Sequence, residues 1–268
     1  MTRLMRAAAI AAGALVMIAA GAVAQPAQRL TDNDIKRLVA DVDQARNRFD
    51  DQLEGKVKNG IVRGTKGEIH VKSALEDFER DMENLKTRYA VDYAASTEVQ
   101  TVLRRANVLQ EIMQAQPAGL KGTSEWEKLA AQLRGLAVAY SVEFPLAEGM
   151  AARRINDAEA AASAGLLVDQ ADAVKDAVNA DRTMAKADKT ALKNRVTEFA
   201  KQAKLVESRL KEHQAATAEV RVLREAFTGL APEGSQLPPS VLKLLGALRA
   251  PIDKLDRAFG VVTRPTTF

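Results

Sequence analysis

The sequence predicts an all-α fold: an exported helical bundle with one short β-hairpin-like insertion between its first two helices. Apolar residues recur at steps of three and four through most of the chain, which is the spacing of one face of an α-helix. Glycine and proline cluster between these periodic segments, where they end helices. An apolar N-terminal run that follows arginine is typical of a secretory signal peptide.

The N-terminal segment predicts export. Arg3 and Arg6 form a short positive region, and the apolar run that follows ends at Ala22-Val-Ala24, a small-residue cleavage site. A membrane-spanning helix needs about 20 apolar residues, and alanine dilutes this stretch, so an uncleaved anchor is the weaker alternative. We therefore expect residues 1–24 to be removed and the mature chain to begin at Gln25. The protein is then periplasmic or secreted, without a stable membrane anchor.

The first half of the mature chain, residues 25–147, is expected to form four amphipathic helices. Thr31 precedes the first helix and is a candidate N-cap, because its hydroxyl can accept a hydrogen bond from a free backbone amide. Ser73 is a candidate cap for the second helix, with a glutamate three residues later that completes a capping box. The residues expected on the buried faces are Ile35, Leu38, Val42, Ala45, Phe49, Leu53, Leu75, Phe78, Met82, Leu85, Tyr89, Val99, Val102, Ala106, Leu109, Met113, Trp126, Leu129, Leu133, Leu136 and Tyr140.

The second half, residues 148–262, repeats this scheme of amphipathic helices. Apolar residues between Leu192 and His213 alternate at steps of four and three, which is typical of a coiled-coil-like seam. The last helix is expected to bend at Pro251, because proline lacks the amide that continues a helix. Residues 263–268 are expected to be a disordered tail. The residues expected on the buried faces are Leu167, Ala171, Val174, Val178, Leu192, Val196, Phe199, Ala203, Val206, Leu210, Val220, Leu223, Phe227, Leu230, Val241, Leu245, Leu248, Ile252, Leu255 and Phe259.

Short matches between the halves raise the hypothesis of an internal duplication that yields two four-helix halves. The segment 98–104, EVQTVLR, is similar to the segment 219–224, EVRVLR. Self-similarity at a fixed period is the sequence signature of a repeated unit. The alternative is shared composition, since helices rich in alanine, leucine, glutamate and arginine are similar to one another by chance. The sequence leaves both interpretations open, and it leaves open whether the halves are separate domains or one bundle.

Residues 55–72 interrupt the helical pattern. Gly60, Gly64 and Gly67 each cost a helix about 1 kcal/mol relative to alanine, and the β-branched residues around them add to that cost. Two short β-branched runs flank the sequence GTKG, which is the order of residues in a hairpin. We therefore expect residues 57–71 to form a short hairpin or extended loop outside the bundle core.

This insertion contains the candidate interaction loop. Arg63, Lys66 and His70 are expected to lie exposed around its tip, where they could contact a partner. Loops of this length are more often functional than short turns are. The alternative interpretation is a simple connector between two helices. The residues expected to pack the insertion against the bundle are Ile61, Ile69 and Val71.

Missing residue types exclude several kinds of active site. The chain has no cysteine, which excludes covalent haem attachment, zinc–thiolate sites and iron–sulfur clusters. Its two histidines lack the glutamate three residues earlier that a di-metal bundle requires. No nucleophile elbow and no glycine-rich nucleotide motif occurs. We therefore predict no catalytic, cofactor-binding or metal-ligating residues, no cofactor, and a protein that is not an enzyme.

Two weaker candidates for a chemical role remain. His213 ends the seam of the second half, where it is either a buried ligand or pH sensor, or a helix-terminal histidine favoured by the helix dipole. The acidic residues between Glu76 and Glu83 are the candidates for a calcium site or for a hydrolase built on paired carboxylates. A solvated helix face is the alternative, because calcium loops place their acids on a tight turn.

The charge balance argues against a nucleic-acid partner. Residues 1–24 carry two arginines and no acid, so the mature chain is close to neutral, and charges of both signs alternate along its helices. We expect a non-enzymatic protein that acts by binding a protein partner in the cell envelope, in a structural, adaptor or chaperone-like role. The alternative is a small-ligand or lipid-binding protein with an apolar cavity between the two helical halves. The oligomeric state stays open.

Overall fold

The computed structural model describes residues 29–89, 93–117, 119–232 and 236–261, which form a mostly helical fold with one small antiparallel sheet of two strands. The all-α prediction and the predicted hairpin are therefore confirmed. The predicted signal peptide and the predicted disordered tail lie outside the described residues. The elements are α1 (Asp32–Gln52), α2 (Gly55–Lys58), β1 (Ile61–Gly64), β2 (Gly67–His70), α3 (Val71–Arg88), α4 (Ser96–Gln114), α5 (Thr123–Ala139), α6 (Asp157–Ala180), α7 (Lys186–Lys211), α8 (Thr217–Thr228), α9 (Pro239–Ala247) and α10 (Arg249–Phe259).

The first half packs α1, α3, α4 and α5 around one hydrophobic core. Helix α1 lies against α5, α3 lies against α4, and the pairs meet through contacts of α1 with α3 and of α4 with α5. The rings of Phe49 and Trp126 pack with their centroids 5.4 Å apart. The predicted buried faces are confirmed, except that Leu38, Ala45 and Met113 are only partly buried at the edge of this core.

The second half packs α6, α7, α8 and α10 around its own core, with α9 against α6. Helix α6 lies along α7 for much of its length, and the predicted buried residues of both helices are inside. The bend expected at Pro251 is instead a break between α9 and α10. Pro251 lies in the first turn of α10, where its missing amide would have no helical partner anyway.

The two halves have separate cores and meet at one end of each bundle. Every extensive helix pair in the described structure lies within a single half. Residues 140–156 connect the halves and are held on the first one. The side chain of Asn107 donates to the Leu146 carbonyl and accepts from the Leu146 amide, at 2.7 and 2.9 Å. This connection leads directly to the start of α6, which lies beside the start of α1.

A buried carboxylate gives the second half a pH-dependent stability. Asp256 on α10 is 4% exposed, and its Oδ2 lies 3.0 Å from Nη1 of Arg224. Burial raises the pKa of Asp256 to about 6, a rise that Asp253 adds to and Arg224 opposes. Because this pKa exceeds that of an aspartate in an unfolded chain, the folded state holds its proton more tightly. Stability therefore falls as the pH rises from about 4 through 6.

Asp256→Asn is accordingly expected to stabilise the protein at pH 7.5 by up to about 3 kcal/mol. The gain should shrink to roughly half at pH 5 and approach zero only below about pH 4, where the carboxyl is neutral in both the folded and the unfolded chain. Urea unfolding at pH 7.5 and pH 5 checks this. Asp176→Asn, at an exposed position on α6, is the control and should show no such pH dependence. A stability difference that stays constant between pH 7.5 and 5 would contradict the raised pKa.

Candidate functional site

The predicted interaction residues lie on the hairpin formed by β1 and β2. The strands pair Ile61 with His70 at the base and Gly64 with Gly67 at the tip. Alternate residues of a strand face opposite sides, so Arg63 and His70 share one exposed face, and Lys66 is exposed in the turn. All three side chains are exposed, as predicted, but only Arg63 and Lys66 lie near the tip, because the strand register places His70 at the base. Their role in binding a partner stays a prediction.

The opposite face of the hairpin docks on the first half. Val62 and Ile69 are partly buried and pack against the first core. In the turn, the amide and the hydroxyl of Thr65 each donate to the Glu111 carboxylate of α4, both at 2.9 Å. A two-stranded hairpin alone is marginal in water, so these contacts hold it in place.

Three details of the predicted insertion are wrong. The predicted range 57–71 is too long, because residues 57 and 58 belong to α2 and Val71 begins α3. Ile61 does not pack on the bundle and is 56% exposed, because its neighbour Val62 takes the inward position of the strand. Ser73 is not the cap of the second long helix, since α3 begins at Val71 and has no side-chain cap. Val71 is fully buried as part of the first core. The predicted N-cap at Thr31 is confirmed, with a complete capping box to Asp34.

Replacing residues 59–70 with a short Gly/Ser turn is expected to leave the protein folded but less stable by roughly 1–3 kcal/mol. The loss comes from the two half-buried apolar side chains and the hydrogen bonds to Glu111. The triple variant of Arg63, Lys66 and His70 to alanine should stay within about 0.5 kcal/mol of wild type, because these side chains are exposed. Urea unfolding checks both, and a triple variant as unstable as the shortened chain would contradict this assignment.

A second cluster, which the sequence did not predict, lies where the N-terminal ends of α1 and α6 meet. Asp32 and Asp157 are the first residues of these helices, and each carboxylate caps the opposite helix. Oδ2 of Asp32 accepts from the Asp157 amide at 2.7 Å, and Oδ2 of Asp157 accepts from the Asp32 amide at 2.8 Å. Both residues are buried. Two carboxylates therefore satisfy free amides and offset the positive ends of two helix dipoles.

Two arginines complete this cluster in the same reciprocal way. Nη2 of Arg154 lies 2.8 Å from Oδ1 of Asp32, and Nη1 of Arg29 lies 2.5 Å from Oδ1 of Asp157. Arg29 precedes Asp32 by three residues but pairs with Asp157. In the same way, Arg154 precedes Asp157 by three residues but pairs with Asp32 across the junction of the halves. All four side chains are almost entirely buried. We call Arg29, Asp32, Arg154 and Asp157 the Arg–Asp clasp.

The clasp also binds backbone across the junction. Arg29 donates to the carbonyl of Ile155, and Arg154 donates to the carbonyl of Leu30. Each acceptor is the residue that directly follows the opposite arginine. The segment 29–32, RLTD, and the segment 154–157, RIND, thus make the same set of contacts to each other.

One further polar side chain from each half, Tyr89 in the first and His213 in the second, contacts the clasp. The Tyr89 hydroxyl donates to the backbone carbonyl of Asp32 at 3.1 Å, and burial raises the pKa of Tyr89, so the phenol stays protonated. Nδ1 of His213 lies 3.3 Å from Oδ2 of Asp157, just beyond the end of α7. The backbone of His213 is in the left-handed region, with a φ of 53°, and its side chain contacts this buried carboxylate.

The clasp is better suited to its own ion pairs than to a metal ion. Asp32, Asp157 and His213 bring potential ligand atoms within 4.8 Å of one another. Each carboxylate oxygen, however, already accepts from a guanidinium or from a backbone amide. The two arginines balance the two negative charges and would repel a cation at this point. The donor set therefore favours a structural clasp.

The acidic face of α3 is an ion-paired helix surface. Asp77 and Asp81 both lie 3.1 Å from the Arg105 guanidinium of α4, and Glu79 lies 2.9 Å from Arg46 of α1. Glu76 and Glu83 are exposed.

A cavity of about 600 Å³ lies beside the clasp, between the two halves. Its walls come from the end of α5, from residues 29 and 30 before α1, from the connection, and from the end of α10. Val138, Ile155 and Phe259 give it an apolar surface, and Val138 is 65% exposed there. The residues that line it include no acid. Its volume lies within the roughly 300–1,000 Å³ typical of small-molecule sites.

Four arginines line this cavity. Arg29 and Arg154 belong to the clasp, and the Arg29 guanidinium also stacks 4.9 Å from the ring centroid of Phe259. Arg153 and Arg257 are exposed, and within the described part of the chain their side chains have no ion pair or hydrogen bond. The cavity thus combines apolar walls with two arginines, Arg153 and Arg257, that have no ion-pair partner in the described part of the chain.

Comparison of this chain with protein-family models, with curated proteins and with solved structures found no significant match in any of the three. Among the helices in the described ranges, none is both long enough and apolar enough to cross a membrane.

Proposed function

We propose that this chain is an exported, non-enzymatic binding protein that holds a small molecule in the cavity between its two helical halves. The observation that carries the proposal is the cavity itself. Its volume suits a small ligand, both halves contribute to its walls, and apolar surface lies next to a few polar groups. Clefts between packed units are a common location of such sites.

The proposal includes an internal duplication of the two halves. RLTD and RIND begin 125 residues apart and make reciprocal contacts across the junction. In both halves the first and second long helices are in contact, as are the second and third, and the first also contacts the last. These likenesses support two related four-helix units, in which a ligand site arises where their equivalent ends meet.

A protein partner at the hairpin is the second candidate function. Glu111 fixes the hairpin tip to α4, so the exposed face with Arg63 and His70 is presented on a held scaffold, with Lys66 in the turn. Preorganised loops bind with a smaller loss of conformational entropy. The hairpin presents exposed side chains, whereas the cavity provides a concave site with a volume that suits a small molecule, and for this reason the small-molecule site is the leading proposal.

Native mass spectrometry of the mature protein, isolated from its own compartment, tests the leading proposal. We expect a small molecule bound at a ratio near one to one. Val138→Trp places a large ring in the cavity without disturbing either core and should abolish this adduct. The matched control is Val222→Trp, at a similarly exposed valine on α8 away from the cavity, and should retain it. A wild-type protein that carries only a protein partner would favour the hairpin instead.

Export is tested by the N-terminus of the mature protein. Edman sequencing of the protein from the periplasmic or secreted fraction should begin at Gln25. A chain that still begins at Met1 and pellets with the membrane would overturn the export part of the proposal.

A further inference from the structure

We infer that the ligand of this cavity is an amphipathic anion, whose carboxylate or phosphate group binds Arg153 and Arg257 and whose apolar chain covers Val138. The inference rests on the proposed function and names the class of ligand. It follows from the difference between the two pairs of arginines in the cavity and from the exposed apolar residues that line the same cavity.

The two pairs of arginines differ in how their charge is used. Arg29 and Arg154 are buried and neutralised by the aspartates of the clasp. Arg153 and Arg257 have no acidic partner among the described residues and reach into solvent. Guanidinium groups bind carboxylate and phosphate through paired, charge-assisted hydrogen bonds. The free pair therefore provides the anion-binding groups, whereas the charge of the clasp arginines is already paired with aspartate.

The free arginines line the cavity from two different elements, the connection that is held on the first half and the helix α10 of the second half. Arg153 lies on the connection, where its amide donates to the Tyr140 carbonyl at 2.9 Å and fixes the backbone. Arg257 lies in the last turn of α10. A single anionic group that binds both would therefore bridge the halves beside the clasp.

The apolar wall requires more than an inorganic anion. Val138 and Leu30 are among the exposed large hydrophobic residues of the chain, and both line this cavity. Phe259 and Ile155, which are less exposed than Val138, add to the apolar surface of the cavity. Exposed apolar surface next to unpaired arginines complements a molecule with an apolar chain and one anionic end.

Isothermal titration calorimetry of the mature protein, with probes below their aggregation concentrations, tests this class. The probes are decanoate and decyl phosphate as amphipathic anions, decanol as the neutral homologue, and inorganic phosphate as the anion without a chain. We expect both amphipathic anions to bind at one site, at least tenfold more tightly than decanol or phosphate. Decanoate binding without decyl phosphate binding identifies a carboxylate site, and the reverse identifies a phosphate site. Both outcomes support the inference.

Two variants separate the charge from the cavity. Arg153→Ala with Arg257→Ala should weaken decanoate or decyl phosphate at least tenfold and leave decanol unchanged. The control is Arg182→Ala, at an exposed arginine beyond the opposite end of α6, and should bind as wild type. Val138→Trp should block every probe that carries a chain.

The outcomes distinguish failure of the inference from failure of the proposed function. Decanol that binds as tightly as decanoate, with binding lost in Val138→Trp, overturns the anion class and leaves the cavity as the site. Phosphate that binds as tightly as decyl phosphate overturns the amphipathic class. If none of the probes binds while native mass spectrometry still finds an adduct in the cavity, the inference is wrong and the proposed function stands.

Discussion

Asp157→Ala is expected to cost about 3–5 kcal/mol and to uncouple the unfolding of the two halves. The substitution removes one side of a buried ion pair, so the Arg29 guanidinium is left without its carboxylate. It also removes the acceptor for the Asp32 amide at the start of α1. Because the halves have separate cores, the clasp is the main polar link through which one half stabilises the other.

Two spectroscopic probes resolve this effect during urea unfolding. Trp126 is the single tryptophan and lies in the first core, so its fluorescence reports on the first half, whereas far-ultraviolet circular dichroism reports on both. The wild-type transitions should coincide, and those of Asp157→Ala should separate. Asp157→Asn, which keeps an oxygen acceptor, should show a smaller effect. Transitions that stay coincident and unshifted in Asp157→Ala would contradict a coupling role for the clasp.

Phe259→Ala is expected to destabilise the second half by about 3–5 kcal/mol. Phe259 is 3% exposed at the end of α10, so the substitution leaves a void in the second core. It also removes the ring on which the Arg29 guanidinium stacks. The cavity becomes larger and loses one of its apolar lining groups, so decanoate should bind more weakly as well.

The response of Trp126 to Phe259→Ala depends on the clasp. With the clasp intact, the fluorescence midpoint should fall together with the circular dichroism midpoint, since the halves unfold as one. In the double variant with Asp157→Ala, the fluorescence midpoint should match that of Asp157→Ala alone. Phe227→Leu, a milder change in the second core away from the cavity, is the control for decanoate affinity. Decanoate binding equally weakened in Phe227→Leu would mean that Phe259 acts only through stability.

The elements that depend on local periodicity could be predicted from the sequence. The apolar steps between Leu192 and Leu210 predict α7, because one helix face repeats every three or four residues. The glycines around GTKG predict the hairpin, because they are costly in a helix. The face of the hairpin could not be predicted, since Ile61 and Val62 are both β-branched and strand pairing alone decides which one points inward.

The clasp and the cavity depend on contacts that periodicity does not specify. Arg29 and Asp157 lie 128 residues apart, so their pairing arises only once both bundles have formed. A signal was present in the two segments RLTD and RIND, each at the start of a helix, but four residues alone do not indicate which charges meet. His213 illustrates the same limit. It lies just beyond the C-terminal end of α7, whereas its partner Asp157 lies at the N-terminal end of α6.

The central claim, a small-molecule site between the halves, is tested most directly by a crystal structure of the mature protein purified from its own compartment without delipidation. We predict electron density for one single-chain anion, with its charged group between Arg153 and Arg257 and its apolar chain against Val138. A cavity that contains only water, or a ligand bound at the hairpin around Arg63, Lys66 and His70, would contradict it.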